Sequence, residues 1–309
     1  MVNLIPGFTA KTFQYTHPTD GEITIAYQMA GIGPPLLLLH GFPQTKIIWH
    51  AIAPELAKNF TVIASDLRGY GESSKPSSTD DHDSYSKRSM AGDQVALMAS
   101  LGFAQFALVG HDRGGRVAHR LAMDHPQAVS KLMVLDICPT LSMYEQTSMV
   151  FAKGYYHWFF LIQPYPIPEK MIGADVRFFM NQYMGNRYAG QDVFLDACWD
   201  EYIHAMENPA CLHAMCEDYR AAAGIDLIRD RADRESGKKL TMPLRVLWGV
   251  KGLVNACFDP LLDWGKVALD VSGKALDCGH YIPEESPAEL LHEIHTFFTT
   301  EGKSNDSVI

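Results

Sequence analysis

Leu108-Val109-Gly110-His111-Asp112-Arg113-Gly114-Gly115 places a strand end, a tight turn and a helix start within eight residues. The apolar run Phe106–Val109 stops at a glycine, and Gly115–Asp124 (GRVAHRLAMD) reads as a helix. Small residues at 110 and 114 allow a sharp reversal between them. Such a turn pushes side chain 112 out above the strand, at the amino end of the helix, where unpaired N–H groups favour an anion. Taken alone, Asp112 could equally be a helix cap paired with Arg116 at i,i+4. The fold is decided by how often this arrangement recurs.

Working outward, Pro35–Leu39 precedes His40-Gly41 and Thr61–Ala64 precedes Ser65-Asp66. Lys131–Leu135 precedes Asp136, and Leu244–Trp248 precedes Gly249. Continuous apolarity suits strands covered on both faces, as in a parallel sheet. Helix-like segments lie between them at Ser89–Ser100, Gly115–Asp124 and Pro287–Phe298. The alternation predicts an α/β fold, a mostly parallel central sheet flanked by helices, with reactive groups beyond the carboxyl ends of the strands. It stops after Asp136 and resumes near Leu244. The residues between are rich in aromatics and helix formers, and the stretch is too long for one loop. The chain therefore divides into a core domain, residues 1–139 and 239–309, and an inserted helical cap, residues 140–238. Ser77–Ser84 reads as a surface loop and Gly302–Ile309 as a frayed tail.

Composition narrows the function classes. With 309 residues, 47% hydrophobic and 20% charged, the chain is an ordinary globular protein rather than a disordered, collagenous or disulfide-dense one. Lys+Arg 26 against Asp+Glu 36 gives a net charge of −10, which repels phosphate backbones and anionic lipid, so neither nucleic acid nor membrane is an expected partner. The six cysteines show no C-x-x-C and no zinc-finger spacing, as expected of buried thiols in a reducing compartment. The start, MVNLIPGFTAKTF, lacks the pattern of a signal peptide, and no apolar run reaches the ~20 residues of a membrane span. A cytoplasmic location is expected.

The G-x-D-x-G turn has the spacing of the G-x-S-x-G nucleophile elbow, with aspartate in the serine position. Two more strings follow predicted strands: His40-Gly41-Phe42-Pro43, and Asp66-Leu67-Arg68-Gly69-Tyr70-Gly71-Glu72-Ser73. Together they resemble the H-G-x-P and D-x-R-G-x-G-x-S elements of α/β-hydrolases, over nearly the whole chain. The resemblance implies an oxyanion hole built from the backbone N–H groups of Phe42 and Arg113. A carboxylate nucleophile attacks a saturated carbon and forms an ester, which water must then open with the help of a base. His280, in Cys278-Gly279-His280-Tyr281, is the candidate base. An acid must orient its imidazole. None lies in Gly249–Leu253, which leaves Asp136 or the later Asp259.

Arg113 directly follows the nucleophile and Arg116 lies three residues on, so both guanidinium groups can share one side of the helix start. Two planar, permanently charged forks suit a carboxylate. Arg120 extends the row, and a solvated basic stripe is the alternative. His111–Arg116 (H-D-R-G-G-R), Tyr156-His157-Trp158 and Met215–Ala221 (MCEDYRA) closely resemble elements of fluoroacetate dehalogenases. That resemblance makes Asp136 the acid, Arg113 and Arg116 the clamp on the substrate carboxylate, and His157, Trp158 and Tyr219 the donors to departing halide. Aromatic packing is the alternative for His157 and Trp158. The resemblance further implies a small anionic haloacid substrate, no metal, no cofactor and a homodimer. The competing functions are an epoxide hydrolase with the same Asp112 and His280, and a non-catalytic binder of small carboxylates.

Overall fold

One sheet holds eight strands in the computed structural model, which describes residues 4–299. They are β1 (Thr9–His17), β2 (Gly21–Ala30), β3 (Pro35–Leu39), β4 (Thr61–Ser65), β5 (Phe106–His111), β6 (Val129–Leu135), β7 (Leu244–Gly249) and β8 (Val271–Leu276). The order across the sheet is β1-β2-β4-β3-β5-β6-β7-β8. β3 to β8 pair in parallel, whereas β2 is antiparallel to both β1 and β4. The tail Gly302–Ile309 lies outside the described residues.

The strands read from continuous apolar runs are the central ones. Every residue of β4 and β5 is buried, as are Leu36–Leu39 of β3. β1 and β2 escape that reading because they mix polar and apolar residues and leave much of β1 in water. Register levels the carboxyl ends of the central strands: Leu39 pairs with Ser65 and Gly110, His111 with Leu135, and Leu135 with Leu247. The polar residues following each strand are thereby gathered along one edge of the sheet.

Helices Lys87–Ser100, Arg113–Asp124 and Pro287–Thr299 form where the sequence predicts them, each within two residues at either end. Between β6 and β7 the chain forms helices and turns, with a single bridge from Leu240 to Ala268. This segment shares the core of the sheet: Trp158, Tyr202 and Tyr219 are fully buried in one apolar cluster with the strands. Ser77–Ser84 differs from its expected surface loop at its last residue. Ser84 is buried, donates to Asp20 Oδ1 at 2.9 Å and accepts from Arg68 at 2.9 Å. All six cysteines are free thiols, five of them buried. No described helix is long and apolar enough to cross a membrane.

Candidate active site

Asp112 stands where β5 meets its helix, with φ 46° and ψ −114°. A residue with a side chain rarely adopts such a backbone, and its neighbours hold it there. A Cβ on Gly114 would lie 2.4 Å from the carbonyl oxygens of Leu39 and His40, and one on Gly41 would lie 2.5 Å from Asp112 Cβ. The elbow is thus pressed against the end of β3, which only glycine permits. Asp112 makes no side-chain cap bond to its helix. Its Oδ1 instead accepts the Phe42 N–H at 2.9 Å. The loop carrying Phe42 is anchored in turn, since Asp66 accepts from Lys46 N at 2.8 Å and Lys46 Nζ at 2.7 Å, and His40 Nε2 accepts from Leu67 N at 3.0 Å.

His280 follows β8 and reaches back across the sheet edge. Its Nδ1 lies 2.6 Å from Asp136 Oδ2, and its Nε2 lies 4.0 Å from Asp112 Oδ2. A carboxylate on Nδ1 requires that nitrogen to carry the proton, which leaves Nε2 able to accept one. The 4.0 Å gap is too long for a direct hydrogen bond and short enough for one water to touch both groups. Asp136 is itself fixed by the Gly249 N–H at 3.0 Å. Asp259 turns elsewhere, capping the helix Pro260–Gly265 through Leu262 N at 3.0 Å. Of the two candidate acids, Asp136 is the one that meets His280.

Asp112 is surrounded by positive potential. Burial alone would raise its carboxyl, but the neighbouring His280 and the Arg116 and Arg113 charges more than offset this and hold it well below the usual carboxylate range. His111 supports the backbone at His280, with Nε2 donating to the His280 carbonyl at 2.8 Å. Burial, with His280 nearby, lowers the His111 ring to about 3, so it is neutral.

Arg113, Arg116 and Arg120 form no solvated stripe, because all three are buried. Arg120 is neutralised by Asp124, Asp230 and Asp233. Arg113 lays its Nε and Nη2 on Asp218 at 2.9 and 2.6 Å, and its Cζ sits 4.1 Å from the centroid of the Tyr219 ring. Asp218 also accepts from Tyr70 at 2.7 Å and pairs with Lys87. Arg116 has no carboxylate partner among the described residues. It donates to Cys138 O at 3.2 Å, Thr140 Oγ1 at 3.0 Å and Met143 Sδ at 3.2 Å, with its Cζ 4.6 Å from the Trp158 ring.

Among the buried side-chain atoms without a partner are Arg113 Nη1, Arg116 Nε, Trp158 Nε1, Tyr219 Oη and Tyr281 Oη, together with His157 Nδ1, which donates when Nε2 accepts from the Tyr183 hydroxyl. Buried donors are ordinarily satisfied, so such a group marks a place for an acceptor. Phe42, whose N–H Asp112 accepts, packs beside two of these residues, its ring centroid 6.1 Å from His157 and 5.2 Å from Tyr219. Burial and the Arg187 charge keep His157 well below its ordinary value, hence neutral, with Nε2 3.2 Å from the Tyr183 hydroxyl.

A sequence model described as the alpha/beta hydrolase fold matches residues 34–249. The chain belongs to the α/β-hydrolase family. This hydrolase is 43% identical over 280 residues to a fluoroacetate dehalogenase from Burkholderia sp, covering 90% of the chain and 91% of that protein. It is 34% identical over 281 residues to a soluble epoxide hydrolase from Corynebacterium sp. (strain C12), covering 88% and 92%. Among solved structures, a putative α/β-hydrolase from Nostoc sp PCC 7120 superposes with a TM-score of 0.91 at 50% identity, covering 95% of this chain and 99% of that one.

The structure adds residues around the hydrolase site that sequence reasoning assigned no role. Asp218 stood within the MCEDYRA string, yet nothing local tied it to Arg113, 105 residues away. Tyr155, whose hydroxyl is 3.3 Å from His280 Nδ1, and Arg187, stacked over Tyr155 and Tyr183, carried no sequence signal at all.

Proposed function

We propose that this chain hydrolyses the carbon–halogen bond of a haloacetate, converting fluoroacetate and water to glycolate, fluoride and a proton. The observation that carries the reading is the set of unpartnered buried donors beside an anionic Asp112, two of them on arginines. A neutral substrate would leave the Arg116 guanidinium and these N–H groups without an anionic partner. The relative named fluoroacetate dehalogenase supports the same reading.

In this mechanism Arg113 and Arg116 hold the carboxylate and Asp112 Oδ2 attacks the α-carbon in line, while Oδ1 is held by Phe42 N–H. The carbon–halogen bond breaks and halide leaves with its electron pair toward His157, Trp158 and Tyr219. His280, steered by Asp136, takes a proton from water, and the hydroxide adds to Asp112 Cγ. The backbone N–H groups of Phe42 and Arg113 stabilise the oxyanion. Collapse expels glycolate, whose alkoxide recovers the proton from His280, and the carboxyl of Asp112 releases its remaining proton to return to the carboxylate. Residues 140–238 act as the cap over this cleft, and the working unit is a cytoplasmic homodimer.

A specific contact favours a second reading, epoxide hydrolysis. Tyr183 and Tyr219 both abut Phe42, with ring centroids at 5.3 and 5.2 Å, and could protonate an epoxide oxygen together. One assay separates the readings: fluoroacetate, chloroacetate and a neutral epoxide, with halide and diol release measured. Halide from both acids without diol is expected. Diol without halide would replace the haloacid reading with the epoxide one, and neither product would leave a carboxylate binder. Arg116→Gln is expected to lower kcat/KM for fluoroacetate roughly ten- to a hundredfold, the worth of a hydrogen bond to a charged group. Fluoroacetamide, lacking the charge, should be a very poor substrate; equal use of amide and acid would remove the clamp assignment.

A further inference from the structure

Half-buried and buried arginines in this protein are paired with carboxylates almost without exception. Arg68, Arg120, Arg220, Arg229 and Arg245 each have one within 4.0 Å, as does Arg113. Among the described residues that are not fully exposed, two arginines lack such a partner: Arg116, in the clamp, and Arg187. Neutral groups hold Arg187. Its Nε donates to Tyr183 O at 3.2 Å, and its Cζ stands 5.0, 4.6 and 5.5 Å from the ring centroids of Tyr155, Tyr183 and Tyr281. Three aromatic faces orient a guanidinium without cancelling its charge.

Arg187 also lines a cavity of about 190 Å³ together with Tyr155, Tyr188, Lys251, Gly279 and His280. The other two basic groups there are already answered, Lys251 by Asp277 at 2.5 Å and His280 by Asp136 at 2.6 Å. Of the three basic groups lining this cavity, Arg187 is the one without a carboxylate partner among the described residues. Two of the tyrosines around Arg187 reach the catalytic groups directly: Tyr155 Oη is 3.3 Å from His280 Nδ1, and Tyr183 Oη is 3.2 Å from His157 Nε2. An anion at Arg187 would sit one ring away from both the base and the halide-side donors.

We propose that Arg187 is an outer carboxylate-binding position, which receives a small anionic substrate from this cavity and passes it to Arg113 and Arg116. The proposal rests on the haloacetate reading for the identity of the substrate. The protein carries a net charge of −10, so an approaching anion meets repulsion at long range. A cation without a carboxylate partner in the cavity lining offsets that repulsion locally, and salt screens the effect.

Arg187→Gln and Arg187→Lys test the assignment, with kcat and KM for fluoroacetate measured across a range of ionic strength set by a non-halide salt. Arg187→Gln should lower kcat/KM about tenfold, carried by KM, and flatten its dependence on ionic strength. Arg187→Lys keeps the charge and should retain most of both properties. Wild-type kcat/KM and salt dependence in Arg187→Gln would overturn the proposal. So would a loss confined to kcat, or equal losses in both variants with lowered thermal midpoints, which would reduce Arg187 to cap packing. If the wild type releases no halide, the functional reading fails separately, and calorimetric titration with acetate still decides Arg187. Weaker acetate binding in Arg187→Gln supports the anion position, and unchanged binding removes it.

Discussion

At Asp112 burial and charge pull in opposite directions, and charge wins. The carboxylate stays an anion although it is 4% exposed, because His280, Arg116 and Arg113 surround it. A nucleophile so placed should form the ester itself. In a single turnover in heavy-oxygen water, the new hydroxyl of the first product should be unlabelled, its oxygen coming from Asp112; label there at once would mean direct attack by water. His280→Asn should stop after the ester forms, and intact mass should then show a substrate-sized adduct. The halide-side donors give a second, independent test. Fluoride is small and strongly hydrated, so its release into a dry pocket depends on donors more than that of chloride. Trp158→Phe and Tyr219→Phe each delete a buried donor while keeping an aromatic ring. Fluoroacetate turnover should drop roughly ten- to a hundredfold, and chloroacetate turnover less. Equal losses on both would make these residues packing only. Asp112 and His280 could be read from glycine-flanked strings because their chemistry is written locally. The choice between Asp136 and Asp259 is not written locally, since it depends on which strand ends are neighbours, and only the family resemblance pointed to Asp136. Arg187 was invisible for the same reason: its tyrosines lie at 155, 183 and 281, and no spacing rule joins them.

Among the elements, the strand–turn–helix unit owes its shape to contacts that forbid a methyl group. Gly114→Ala would place a Cβ 2.4 Å from two backbone oxygens of β3 and its loop, atoms that cannot rotate away. The helix must then shift off the sheet, and with it Asp112. A drop in thermal midpoint together with loss of turnover is expected. Gly92 offers the contrasting case, in the helix Lys87–Ser100 with nothing within 4 Å of an added Cβ. There alanine should stabilise by about 0.4–1 kcal/mol, through the smaller entropy of the unfolded chain. Denaturant midpoints for both variants check the pair, and similar destabilisation in each would mean the close approach at Gly114 is not what shapes the elbow. The same physics explains which elements could be read in advance. Strands covered on both faces must be apolar throughout, so β3 to β7 announce themselves as runs. β1 and β2 owe their place to pairing at the sheet margin, which leaves polar residues tolerated and the pattern mixed.

For the molecule as a whole, one buried acid couples the sheet to the helical segment and makes stability depend on pH. Glu284, just after His280, accepts from Gln44 Nε2 at 2.6 Å in the loop after β3 and from Tyr202 Oη at 2.9 Å in the helix Asp196–Glu207. No cation answers it. His50 lies 3.9 Å away but burial keeps its ring below the ordinary value and neutral, burial pushes the Cys198 thiol up to about 12, and Glu285 adds repulsion. Burial therefore raises the Glu284 carboxyl to about 8. The protonated form can be accommodated, because Gln44 Oε1 is buried without a donor and an amide flip would let it accept the new O–H. The native state then holds a proton that the unfolded chain, with an ordinary carboxyl near ~4.3, releases. Between that value and about 8, the native state binds more protons, so stability must fall as pH rises through the window. Glu284→Gln removes the proton from the balance and keeps a donor and an acceptor in its place. Relative to the wild type, its thermal midpoint should gain with rising pH, with a difference on the order of a few degrees between pH ~5.5 and ~8.5. A difference that stays constant across that range would mean Glu284 remains ionised in the folded protein, with some group other than Gln44 and Tyr202 supporting its charge.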